Sequence, residues 1–231
     1  MKPTCYLSRL NDCDGDIEQE HPIPLCLLKL NPDMVVPEIE GWNRRSFNKT
    51  APILCKRHNN RLFGDLIDEV LCDFQLSMFK HPERKELVSA PIRIVAAGVL
   101  KECVGLAVTL EGPRKGLSTS MRNALIMSLQ DEVQADYQLF ATFGSSTFVN
   151  DNMCVSHAKT WGQNGRVFGF ELRGPVVGLL VWFGPGHPLN FRKDYDVEGV
   201  MHITHDMCVP LPHGSTWYFP PDEQAPRWVR R

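Results

Sequence analysis

No stretch of this chain approaches 18 uninterrupted apolar residues, so no membrane span is expected. The opening Met-Lys-Pro-Thr-Cys has no apolar run behind it, and a signal peptide is not expected either. Internal repeats and low-complexity tracts are also lacking. Net charge gives little direction, at −2 over the whole chain. What remains is an ordinary globular composition: 231 residues, 43% hydrophobic and 23% charged, enough for one or two cores. The eight cysteines have scattered spacing. Without an export signal they read as metal ligands and buried thiols rather than a disulfide framework, and a reducing cytoplasm is the expected compartment.

The charge is uneven along the chain, and there the sequence becomes informative. Residues 41–64 contain Arg44, Arg45, Lys49, Lys56, Arg57 and Arg61 but no Asp or Glu. Residues 12–20 carry Asp12, Asp14, Asp16, Glu18 and Glu20. A local positive stripe of this kind suits a phosphate backbone; a solvated basic loop is the plainer alternative. Two short runs lie in or beside these segments, Glu20-His21-Pro22-Ile23-Pro24 and Cys55-Lys56-Arg57-His58-Asn59-Asn60. Cys55 and His58, three apart, have the knuckle spacing of a structural zinc site.

Together the two runs resemble the HNH endonuclease family, treble-clef nucleases with a ββα-metal active site. In that family an acid–His pair ends a first strand, and a Cys-x-x-Cys/His-Asn run begins the facing helix. The likeness covers Cys5 to Phe79, about a third of the chain. It implies a structural Zn²⁺ and a catalytic Mg²⁺ or Mn²⁺. A phosphodiester needs a nucleophile, charge neutralisation and a stabilised leaving oxygen. A neutral imidazole takes a proton from water near pH 7, and one divalent cation supplies the other two. His21 fits the base, while Glu20 and Asn59 fit the oxygen ligands of that cation. By the same resemblance Asn48 orients His21, with Asn43 as the second choice; loop asparagines more often form turns.

The chain departs from the family pattern in its first knuckle. Members usually show Cys-x-x-Cys before the acid–His pair. Here Cys5 is followed by Ser8, and the next cysteine is Cys13. Cys5, Cys13, Cys55 and His58 form one candidate zinc set on an enlarged knuckle. A nearby aspartate as fourth ligand and a site that has lost its metal are the alternatives. Glu20 stands where Asp is commoner, with the same carboxylate on a longer arm.

From Asn59 the apolar positions Leu62, Phe63, Leu66, Ile67, Val70, Leu71, Phe74 and Met78 repeat near 3.6 residues, predicting a helix that His81-Pro82 ends. Its first turn favours phosphate, although an asparagine there is often only an N-cap. Beyond residue 83 a buried helix is expected over 91–110 and another from Ser118 to about Glu132. Strands are expected at 166–172, 176–183 and 200–204, the first two joined as a hairpin through Gly174-Pro175. Pro220 onwards reads as a loose tail. Cys154, His157, His202, His205 and Cys208 have metal-like spacing, but without knuckle turns they read as histidines on exposed strand faces and buried thiols. Gly144-Ser145-Ser146 reads as a loop.

The sequence thus predicts an α+β chain. Residues 1–80 form a zinc-knuckled treble-clef ββα-metal module, and residues 83–231 a helix-plus-antiparallel-sheet region serving recognition or dimerisation. The leading function is a divalent-metal-dependent HNH endonuclease acting on nucleic acid, with double-stranded DNA as the expected partner. Its rival is a non-catalytic zinc-stabilised module binding nucleic acid or protein. An RNA substrate also remains open, because the metal chemistry never touches the sugar's 2′ position.

Overall fold

A computed structural model describes residues 5, 7–8, 11–14, 16–21, 23–25, 29, 51–78, 86–111, 137–144, 157–163, 166–191, 197–212 and 214–221. The chain is α+β. Strand β1 (Ile17–Glu20) pairs antiparallel with β2 (Ala51–Cys55), with a register shift at Glu18/Gln19. The Lys56 N–H donates to Asp16 O at 2.9 Å and carries the pairing one step further. A π-helical segment (Arg57–Ile67) follows at once and runs into α1 (Asp68–Ser77). At the junction the Asp68 N–H bonds Phe63 O, five residues back, the wider winding that defines a π-helix. The expected helix is therefore present, but it starts at Arg57 rather than Asn59.

After β3 (Leu87–Ser89) comes α2 (Ile92–Glu111), the predicted buried helix. Val95, Ala96, Val99, Leu100 and Val104 are all inaccessible to solvent, as expected of a mostly apolar helix within the core. It packs against α1 and the π-helical segment on one side. On another it meets a five-stranded sheet of order β5-β6-β7-β4-β8, from Gln138–Phe143 (β4), His157–Gln163 (β5), Arg166–Arg173 (β6), Val177–Trp182 (β7) and Gly199–Ile203 (β8). Every neighbouring pair in that sheet is antiparallel. The predicted hairpin through Gly174-Pro175 is there, closed by Gly174 N–H donating to Val177 O at 2.9 Å. A smaller sheet, β3-β10-β9, adds Met207–Pro210 (β9) and Thr216–Phe219 (β10). Its β3–β10 pair is parallel.

One continuous core joins Cys5, Leu54 and Phe63 to Ala97, Leu139 and Trp217, on both sides of the boundary expected near residue 80. Trp217 anchors the small sheet to α1: its indole N–H donates to Ser77 Oγ at 2.6 Å, and its ring lies 5.5 Å from Phe74. The helix from Ser118 and the tail beyond residue 221 fall outside the described residues. Among the described residues, no helix is long and apolar enough to cross a membrane.

Two glycines permit close approaches between elements. At Gly98 a Cβ would lie 3.1 Å from Leu71 Cβ and 3.2 Å from Ile67 Cγ2. The missing side chain therefore brings α2 close to α1 and the π-helical segment. At Gly169 a Cβ would stand 2.7 Å from the Val181 carbonyl. Backbone in a central ladder yields less easily than a side-chain tip, so Gly169→Ala is expected to destabilise the fold by about 1–3 kcal/mol. A fall in the denaturant midpoint with an unchanged slope would register it; an unchanged midpoint would show that β7 relaxes freely.

Candidate metal centre and the strand end at Glu20-His21

The cysteines and histidine expected to hold zinc come together. Cys5, Cys13, Cys55 and His58 each place a ligand atom within 4.8 Å of all the others. His58 Nδ1 lies 3.2 Å from Cys55 Sγ, 3.3 Å from Cys5 Sγ and 3.7 Å from Cys13 Sγ. A tetrahedral Zn²⁺ with Zn–S near 2.3 Å and Zn–N near 2.0 Å separates sulfur from nitrogen by about 3.5 Å. The donor set and its spacing therefore fit a Cys₃His metal site. Burial pushes the Cys5 and Cys13 thiols up, whereas a coordinated cation deprotonates its thiol ligands outright. The described cysteines are free of disulfides.

Local folding delivers these ligands. Cys55 is the last residue of β2, and His58 sits in the first turn of the π-helical segment, so one chain reversal supplies both. Cys5 and Cys13 arrive from the segment before β1. A residue not singled out from the sequence completes the arrangement. Asp12 Oδ1 is 2.8 Å from His58 Nε2, and its Oδ2 accepts from Arg57 Nε at 3.0 Å. A proton on Nε2, shared with that carboxylate, leaves Nδ1 free to face a metal. Arg57, expected in the phosphate-binding stripe, is occupied in holding Asp12. Asp12→Asn is expected to weaken zinc affinity about 10–100-fold, the usual effect of losing such an outer partner. Competition with a chromogenic chelator measures this; unchanged affinity would make Asp12 only an Arg57 partner.

The second expected constellation is arranged differently. His21 directly follows the end of β1 and is half-buried. Glu20 turns inward, 2% exposed, and Lys101 Nζ of α2 stands 2.8 Å from its Oε1. The same ammonium donates to both Asp68 oxygens, at 2.7 and 2.8 Å, and to the His21 carbonyl at 3.4 Å. It also lies 5.5 Å from the Phe63 ring centroid. Asn59 is elsewhere: its amide donates to Gln19 O at 3.3 Å and to Glu18 Oε2 at 3.4 Å, and Asn60 donates to Glu18 Oε2 at 2.9 Å. Glu20 and Asn59, expected to share a Mg²⁺ or Mn²⁺, thus have separate partners. The reason is long-range: α2 brings a cation to Glu20 from 81 positions downstream, and no local motif announces it.

Electrostatics follow from these contacts. Burial pushes the Glu20 and Asp68 carboxyls up, while Lys101 pulls both back. Burial alone would lower Lys101; Glu20 and then Asp68 more than reverse this and hold it above its usual range. His21 is held below the ordinary imidazole range by burial and then by Lys101, with Asp68 opposing. Near neutral pH its ring is therefore uncharged, the form able to accept a proton.

Asn48, Asn43, Arg44, Arg45 and Lys49 lie outside the described residues, as does the side chain of Arg61. Lys56 is exposed. His202, His205 and Cys208 are exposed, with His202 on β8 and Cys208 on β9, in different sheets. Among the described residues the Cys₃His group is the one cluster of metal-ligand type, and Cys208 is an exposed thiol rather than the buried one expected, because it lies on the outward side of β9. Cys154, Ser145 and Ser146 are outside the described residues. Comparison with known proteins finds no matching family model, no matching curated protein and no matching solved structure.

Proposed function

We propose that the protein is an HNH-type endonuclease, a hydrolase of nucleic-acid phosphodiesters built on a zinc-knuckled treble clef, with His21 as general base. The observation that carries this reading is the β1–β2–helix arrangement. Its Cys₃His cluster ties the start of the π-helical segment to the strand pair ending at Glu20-His21. A neutral, half-buried imidazole at a strand end suits removal of a proton from water. Exposed Lys56 and the basic segment before β2 suit the phosphate backbone. Double-stranded DNA is the preferred substrate, and residues 83–231 serve recognition or dimerisation.

The divalent cation implied by the resemblance does not fit the residues expected to hold it. The Glu20 carboxylate already faces an ammonium, and the Asn59 amide faces Glu18 and a carbonyl. No step of this reading runs through a cation held by Glu20. The engagement of Glu20 also favours a second reading, a zinc-stabilised platform that binds nucleic acid without cutting it.

The test uses the full chain, loaded with zinc, on plasmid, linear duplex, single-stranded DNA and RNA at low salt, with Mg²⁺ or Mn²⁺. Low salt matters because backbone-dominated binding weakens steeply as salt rises. Cleavage well above that of His21→Ala is expected on duplex DNA. Binding without any His21-dependent cleavage would leave the platform reading in its place.

A further inference from the structure

Lys101 is the feature that neither the metal cluster nor the resemblance accounts for. It is 2% exposed, on a mostly apolar helix, and its ammonium meets four groups at once. Three present oxygen: the Glu20 carboxylate at 2.8 Å, the Asp68 carboxylate at 2.7 and 2.8 Å, and the His21 carbonyl at 3.4 Å. The fourth is the face of Phe63. Two carboxylates and a backbone carbonyl make an oxygen set that a hard divalent cation would also accept. Buried carboxylates need a positive partner whatever its nature, because isolated buried charges are not tolerated.

We infer that the Lys101 ammonium is the resident cation of the Glu20–Asp68 pocket, so that Glu20 is not a divalent-metal ligand in this protein. The inference bears on the proposed nuclease, because it removes the expected metal ligand, yet its test does not depend on cleavage. The close approach at Gly98, one turn before Lys101, makes the arrangement possible. An ammonium on a four-carbon stem reaches the pocket only when α2 lies hard against α1 and the π-helical segment. The chain therefore supplies from its second region a charge that its N-terminal strand end requires.

The experiment measures Mn²⁺ binding by electron paramagnetic resonance, which reports free aqueous Mn²⁺, on zinc-loaded full-length protein. Wild type and Glu20→Gln should bind Mn²⁺ alike. Lys101→Met, which keeps the length and removes the charge, should gain one Mn²⁺ per chain, bound at least about tenfold more tightly than any in wild type. That gain should vanish in Lys101→Met combined with Glu20→Gln. A loss of Mn²⁺ affinity of about tenfold on Glu20→Gln alone would overturn the inference, since Glu20 would then ligate metal beside an intact Lys101. A Lys101→Met protein that retains zinc and its circular dichroism yet gains no Mn²⁺ site would overturn it too. Should Lys101→Met fail to fold, the wild-type and Glu20→Gln pair decides alone. An absence of nuclease activity in wild type would sink the proposed function and leave these binding outcomes unaffected.

Discussion

His21→Ala is expected to lower duplex cleavage by roughly two to four orders of magnitude, the usual worth of a positioned acid–base group. Zinc content, circular dichroism and affinity for duplex DNA should stay close to wild type, because the imidazole is neither a zinc ligand nor a core group. The pH profile gives an independent check. Burial and Lys101 hold His21 below the ordinary imidazole value of about 6.5. The base form is present above that lowered value and is lost as pH falls through it. The acid limb of the cleavage profile should therefore lie at lower pH than a free imidazole would give. Equal trace activity in wild type and His21→Ala on every substrate, at every pH, would end the nuclease reading.

Zinc removal should have the next largest effect. Purified protein never exposed to chelator should carry about one zinc per chain, since structural sites of this kind contribute folding energy directly. Cys55 is inaccessible to solvent and closes β2, so Cys55→Ser loses a ligand at the point where strand and helix are joined. Zinc content should fall towards zero and soluble yield should drop sharply, rather than leaving a folded but inactive protein. Hydrogen exchange should locate the loss in β1, β2 and the π-helical segment, with slower change in the five-stranded sheet. An elemental analysis that finds no metal in chelator-free wild type would remove the zinc-knuckled module from consideration.

The parts legible in the sequence were those written locally. A three-residue spacing named Cys55 and His58, and an apolar run with few breaks marked α2 to within a residue at each end. Short apolar-rich stretches marked β6, β7 and β8, with a Gly-Pro turn between the first two. Short strands were less visible. β3 has three residues and β9 and β10 have four each, too few for a period of two to stand out. In the sequence Asp12 is one of a run of acids, and nothing there distinguishes the carboxylate that meets His58 from its neighbours. Lys101 was invisible for a related reason. Its role depends on a helix crossing set by Gly98 and on partners 33 and 81 positions away, and both are tertiary facts.

The Lys101 contact also bears on how portable the N-terminal third is. Residues 1–80 look like a cassette, with a motif, a metal knuckle and a helix of their own. Excised or grafted onto another protein, that cassette would carry Glu20 and Asp68 into the interior with no cation between them. Like carboxylates so placed repel and take up protons instead. A transplanted cassette would need its own basic side chain from the new host, placed against the helix as Lys101 is here. Homing this module into a different protein therefore means moving about 111 residues, through the end of α2, as one unit.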